Sequence, residues 1–158
     1  GTYNFKSKID RASKQEYFYS KERNEIFYFK NNVLSKEGGE IFRNLLDEKI
    51  NVIFSDALHS EEGILSEYKN LIKGNLSNQF IYYFDDLNMY DVQDGVEKVF
   101  KDLRSNNNNV KFYSFWSYGW IGQYEKLHKI GLITTLDIAS IFKKKNIFLP
   151  FFKEITNV

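Results

Sequence analysis

The stretch Phe80-Ile81-Tyr82-Tyr83-Phe84-Asp85-Asp86 decides the fold. An aromatic, β-prone run ends in two adjacent carboxylates, as in a strand covered on both faces that opens into a polar loop. Two further runs have the same character: Asn51-Val52-Ile53-Phe54, soon followed by Asp56, and Val110-Lys111-Phe112-Tyr113-Ser114-Phe115-Trp116. Helical patterns separate them. In the first, Ser60 is placed to cap, Glu61 and Glu62 complement the positive end, and Ile64, Leu65, Tyr68, Leu71 and Ile72 form the apolar stripe before Gly74 stops it. The second runs from Asp91 to Arg104 with Val96, Val99, Phe100 and Leu103 at helical spacing. Strands alternating with helices predict an α/β domain in three layers: a mostly parallel sheet, right-handed crossovers and helices on both faces.

Outward from this unit, Glu16-Tyr17-Phe18-Tyr19-Ser20 and Glu25-Ile26-Phe27-Tyr28-Phe29 read as an N-terminal β-hairpin that extends the sheet antiparallel. A helix is expected from about Ser35 to Glu48, with Gly38 and Gly39 weakening its first turn. On the C-terminal side the pattern predicts a short helix over Gln123 to Lys129, a turn at Gly131, and a helix led by Thr135 through Ile138, Ile141 and Phe142. The tail Ile147-Phe148-Leu149-Pro150-Phe151-Phe152 is too apolar to lie in water without a partner. The 158 residues fit a single domain, and Gly1-Thr2 in place of an initiator Met predicts a segment of a longer protein.

Composition removes several function classes. With 22 Lys plus Arg against 21 Asp plus Glu, the chain has no general field for nucleic acid or an anionic surface. The absence of cysteine excludes disulfides, thiolate metal sites and a cysteine nucleophile. No apolar run approaches the roughly 20 residues of a membrane span, and no signal sequence opens the chain, so a soluble domain is expected. Aromatics at 18% exceed the needs of such a core and point to some rings that face a partner.

In a parallel sheet the ends of the first two strands open on one edge, which brings Asp56, Asp85 and Asp86 together as a candidate Mg²⁺ site, the one cofactor the sequence suggests. The same residues are also expected as plain turn and capping groups. His59, between Asp56 and the capped helix, is the candidate proton carrier, whereas His128 falls in a Lys-flanked helix and reads as solvated. Trp116, Tyr118 and Trp120 lead an aromatic loop at that edge, and Phe148, Phe151 and Phe152 lie in the tail; these six are the candidate interface.

Three families share parts of this pattern. Phe80 to Asp86 resembles the hydrophobic strand and acid that position Mg²⁺ and water in P-loop ATPases, although no G-x-x-x-x-G-K-[ST] precedes it. Phe84 to Asp91, followed by a helix and Phe112-Tyr113-Ser114, is similar to haloacid-dehalogenase-type phosphatases, with adjacent aspartates where those carry D-x-D. Phe80 to Phe142 resembles the second half of STAS regulatory domains, with Asp91-Val92-Gln93-Asp94-Gly95 where phosphorylatable members carry a Ser. None of the three motifs is complete. The leading expectation is a non-catalytic binding or regulatory module that contacts a protein partner or neighbouring domain. The competing one is a Mg²⁺-dependent enzyme acting on a phosphate-containing substrate.

Overall fold

The computed structural model describes residues 6–10, 15–19, 25–29, 32–46, 48–56, 58–118 and 126–156. Contacts divide the chain after Asn32 into two compact units. In the first, β1 (Lys6–Asp10), β2 (Gln15–Tyr19) and β3 (Glu25–Phe29) form an antiparallel sheet of their own in the order β1-β2-β3. The β2–β3 pairing, with Tyr17 opposite Phe27, is the expected hairpin, but its strands do not join the larger sheet.

In the second unit, α1 (Lys36–Leu45) is capped by the Ser35 hydroxyl, which accepts from the Gly38 N–H. Gly39 is there for space. A Cβ at Gly39 would stand 2.4 Å from the Asn70 carbonyl oxygen, so α1 reaches its neighbour only without a side chain. Then come β4 (Ile50–Ser55) and α2 (Glu61–Glu67), where the Ser60 hydroxyl caps the Gly63 N–H at 3.1 Å as the sequence pattern anticipates. The helix continues as a π turn, Tyr68–Ile72, and Gly74 at φ 82° reverses the chain into β5 (Leu76–Phe84). After α3 (Tyr90–Asn106) come β6 (Lys111–Tyr118), β7 (Leu127–Thr134), α4 (Ile138–Lys145) and the short β8 (Lys153–Glu154).

The sheet order is β4-β5-β7-β6-β8, and only β4–β5 is a parallel pair. The expectation of a mostly parallel sheet is therefore wrong, and β7 is the reason. Leu127 to Thr134, where the sequence pattern predicts the end of a helix and a turn, is a strand that returns from β6 and inserts antiparallel between β5 and β6, with Gly131 opposite Phe84 on one side and Ser114 on the other. Gly131 is thus mid-strand. A Cβ there would meet Leu87 at 3.2 Å, so the residue read as a turn is a close-packing site.

One sheet face carries Phe80, Tyr82, Phe84, Phe112 and Ile133, which pack with Ile64, Val92, Val96 and Val99 of α2 and α3. The other carries Tyr113 and Leu132, joined by Ile138 and Phe142 of α4 and by Phe152. Burial of such aromatic side chains is worth roughly 2–3 kcal/mol each and dominates the stability of the unit. Helices α2 and α3 approach closely at Gly95, where a Cβ would lie 2.9 Å from that of Ile64.

Candidate functional site

Parallel β4 and β5 end side by side, tied by the Asp85 N–H donating to the Ser55 carbonyl at 3.2 Å. Because β7 runs antiparallel to β5, its first residues stand beside the same edge. The loop after β5 is pinned to it: the Leu87 N–H donates to the Lys129 carbonyl at 2.7 Å, and the Lys129 N–H donates to Asn88 Oδ1 at 3.2 Å. These bonds bring His128 against the aspartates.

Asp86 lies between two imidazoles. His128 Nδ1 is 2.6 Å from its Oδ1, and His59 Nε2 is 3.7 Å from its Oδ2. His59 Nε2 also lies 3.2 Å from Asp56 Oδ1. The backbone at Asp86 is left-handed, φ 52°, a conformation that Asp tolerates better than most residues and that turns its carboxylate into the cluster. Asp85 accepts the Asp86 N–H at 3.0 Å. Burial pushes the Asp85 carboxyl above its ordinary value, and the Asp86 and Asp56 charges push the same way against the Asp86 N–H and His128.

The four residues that the sequence singles out as catalytic or metal-binding, Asp56, His59, Asp85 and Asp86, thus share one edge, and the structure adds a fifth. Ligand-capable atoms of Asp85, Asp86 and His128 lie within 4.8 Å of one another, which makes these three the set suited to one ion. Asp56 stands outside that set and reaches it through His59. Among the described residues the buried Nε2 of His128 has no hydrogen-bond partner, while its Nδ1 is held by Asp86. The sequence pattern predicts a helix at His128 and so does not mark it as a site residue; the apolar run Ile130-Gly131-Leu132-Ile133-Thr134, with three β-branched residues, is the available signal for a strand.

The aromatic candidates separate. Phe152 is part of the core, stacked on Tyr113 at 5.2 Å between ring centroids and edge-on to Phe142 at 5.3 Å. Trp116 is half-buried beside the tail, its backbone N–H donating to the Pro150 carbonyl at 2.9 Å. Tyr118, Phe148 and Phe151 are exposed, and Trp120 lies outside the described residues. A cavity of about 450 Å³ beside Arg104, Lys111 and Glu154 sits at the opposite end of β6 and contains none of the acidic cluster. No helix among the described residues is long and apolar enough to cross a membrane.

No protein family, curated protein or solved structure matches the chain.

Proposed function

We propose that the domain binds a divalent first-row metal ion through Asp85, Asp86 and His128 and uses it for hydrolysis, with His59 and Asp56 as the proton-carrying pair. The observation that carries this reading is the convergence at one sheet edge of Asp85, Asp86 and His128, whose ligand-capable atoms lie within 4.8 Å of one another, with His128 Nδ1 2.6 Å from Asp86 Oδ1. Imidazole among the donors favours Mn²⁺, Fe²⁺ or Zn²⁺ over the all-oxygen environment that suits Mg²⁺. A bound ion would also favour the ionised form of Asp85, which burial first and then the Asp86 and Asp56 charges disfavour.

Metal-assisted hydrolysis needs an acidified water and a group to move its proton. His59, exposed, 3.2 Å from Asp56 and 3.7 Å from Asp86, is the residue assigned to that step. A phosphate ester is the substrate class to test first, since its oxygens complete the coordination of a carboxylate-held ion.

Isothermal titration of the chelator-treated protein with Mn²⁺, Zn²⁺ and Mg²⁺ tests the proposal. Expected is saturable binding of a first-row ion that Asp86→Asn and His128→Ala each weaken by at least about tenfold, with Mg²⁺ bound more weakly. Phosphomonoester or phosphodiester hydrolysis should then depend on that ion and fall by about 100-fold or more in His59→Ala. Absence of saturable binding for all three ions would end the metal reading; binding without hydrolysis would end only the enzymatic part.

A further inference from the structure

The segment from Ile138 to Lys153 carries Lys143, Lys144, Lys145 and Lys153 and no acidic residue, in a chain whose net charge is only +1. Three of these lysines form the last turn of α4, where they complement the negative end of the helix dipole. That role needs no aromatic neighbours. Yet Asn146, left-handed at φ 54°, ends the helix and turns the chain directly into Ile147 and Phe148. Phe148 is 85% exposed and Phe151 77% exposed, with Ile147 also exposed beside them.

These rings are held outward by bonds to the sheet. Phe152 is locked among Tyr113, Phe115 and Phe142, the Trp116 N–H donates to Pro150, and the Phe152 N–H closes a turn on the Leu149 carbonyl at 3.3 Å. Phe151 itself has φ 54°, which a bulky residue adopts only where its surroundings impose it. With one phenylalanine anchored, its neighbour and Phe148 project from the surface. A shallow cavity of about 380 Å³ between them is lined by Ala139, Phe142, Lys143 and Leu149.

Protruding aromatics with lysines alongside, Lys143 lining their cavity and Lys144 and Lys145 next to it in the last turn of α4, are what an interfacial anchor presents: apolar groups enter the acyl boundary while ammonium groups remain at the headgroups. We propose that Phe148, Phe151 and Ile147, with Lys143, Lys144 and Lys145, dock this domain on an anionic lipid surface. Charge complementarity favours that occupant over an apolar protein groove, which would leave three neighbouring lysines unmatched. Nucleic acid fits less well, because the centre of the patch is aliphatic and aromatic and has no arginine to read or stack on bases. The lipid surface is independent of the metal reading, since neither uses the other's residues.

Co-sedimentation with phosphatidylcholine vesicles, with and without phosphatidylserine, tests the proposal on the full chain. The expected result is pelleting only with phosphatidylserine, weakened by salt. Replacement of Lys143, Lys144 and Lys145 together by Ala should lower partitioning roughly 100-fold, at about fivefold per lysine. Phe148→Ser with Phe151→Ser should also abolish pelleting while the thermal midpoint stays within a few degrees of the parent, since both side chains are already in water. The proposal is overturned if no vesicle pellets the protein or if the serine variant pellets like the parent. It is equally overturned if the protein ignores vesicles but is retained on an immobilised polyglutamate peptide, an outcome that hands the patch to an acidic partner.

Discussion

Glu67 and Asp86 are carboxylates near the same ends of β4 and β5, and their partners differ in kind. Glu67 is buried between α2 and the sheet, where the Tyr82 hydroxyl donates to Oε1 at 2.6 Å and the Ser55 hydroxyl donates to Oε2 at 3.1 Å. Both its oxygens are filled by groups that stay neutral at ordinary pH. Asp86 is met by two histidines, side chains whose ring nitrogens ligate metals and carry protons. A carboxylate enclosed by hydroxyls can hold elements together, whereas one set between imidazoles on a half-open edge can do chemistry. The difference teaches that acidity at a strand end is uninformative until its partners are known.

Removing Glu67 should give the largest effect on stability. Glu67→Ala leaves the Tyr82 and Ser55 hydroxyls buried without an acceptor and opens a cavity beneath β4, at a cost of about 2–4 kcal/mol. Urea denaturation should show the midpoint fall with little change in slope. A loss under about 1 kcal/mol would mean that the bonds to Tyr82 and Ser55 are not structural, and the comparison would collapse from the Glu67 side.

Asp86→Gly should move stability the other way and by less. Glycine accepts φ 52° without steric cost, so release of the left-handed strain should raise unfolding free energy by up to about 1 kcal/mol, while metal binding is lost. Gain of stability with loss of ligand is the signature of a residue kept for function. If Asp86→Gly instead costs more than about 1 kcal/mol, its bond to His128 is a structural tie and the two carboxylates are alike.

Much of the layout that brings these residues together was readable. The strands near Phe80 and Val110 were visible because buried strands are continuous apolar runs, the edge strand near Asn51 because of its β-prone Val52-Ile53-Phe54, and Ser60 because capping is local. β7 was not. Its first three residues, Leu127-His128-Lys129, read as polar as a helix surface, and what makes the segment a strand is pairing with β5 and β6, which no local pattern encodes. The consequence reached the site: with β7 taken as helix and turn, His128 appeared solvated and the cluster appeared purely carboxylate. Phe152 failed for the same reason, since apolarity alone does not separate a ring locked against Tyr113 from one left in water like Phe148.

The smallest effect concerns the proton on Glu67. Burial raises its carboxyl above the ordinary 4.5, opposed by the hydrogen bonds from Tyr82 and Ser55. Because the native value lies above the unfolded one, the unfolded chain releases this proton first as pH rises. Its contribution to stability is therefore full below about pH 4.5 and declines until the raised native value is passed, then levels off. Asp85, also raised, adds a slope of the same sign, so the parent's total pH dependence does not isolate Glu67. Glu67→Gln does isolate it, because the amide keeps the shape of the protonated acid and has no proton to lose. The stability difference between Gln variant and parent should shift in the variant's favour with rising pH, starting near 4.5, and stay constant once the native carboxyl has ionised. A difference that is flat from acid to neutral pH would show that Glu67 titrates alike in folded and unfolded chains. The bonds from Tyr82 and Ser55 would then offset the whole cost of burying it, and the contrast with Asp86 would rest on hydrogen bonding alone.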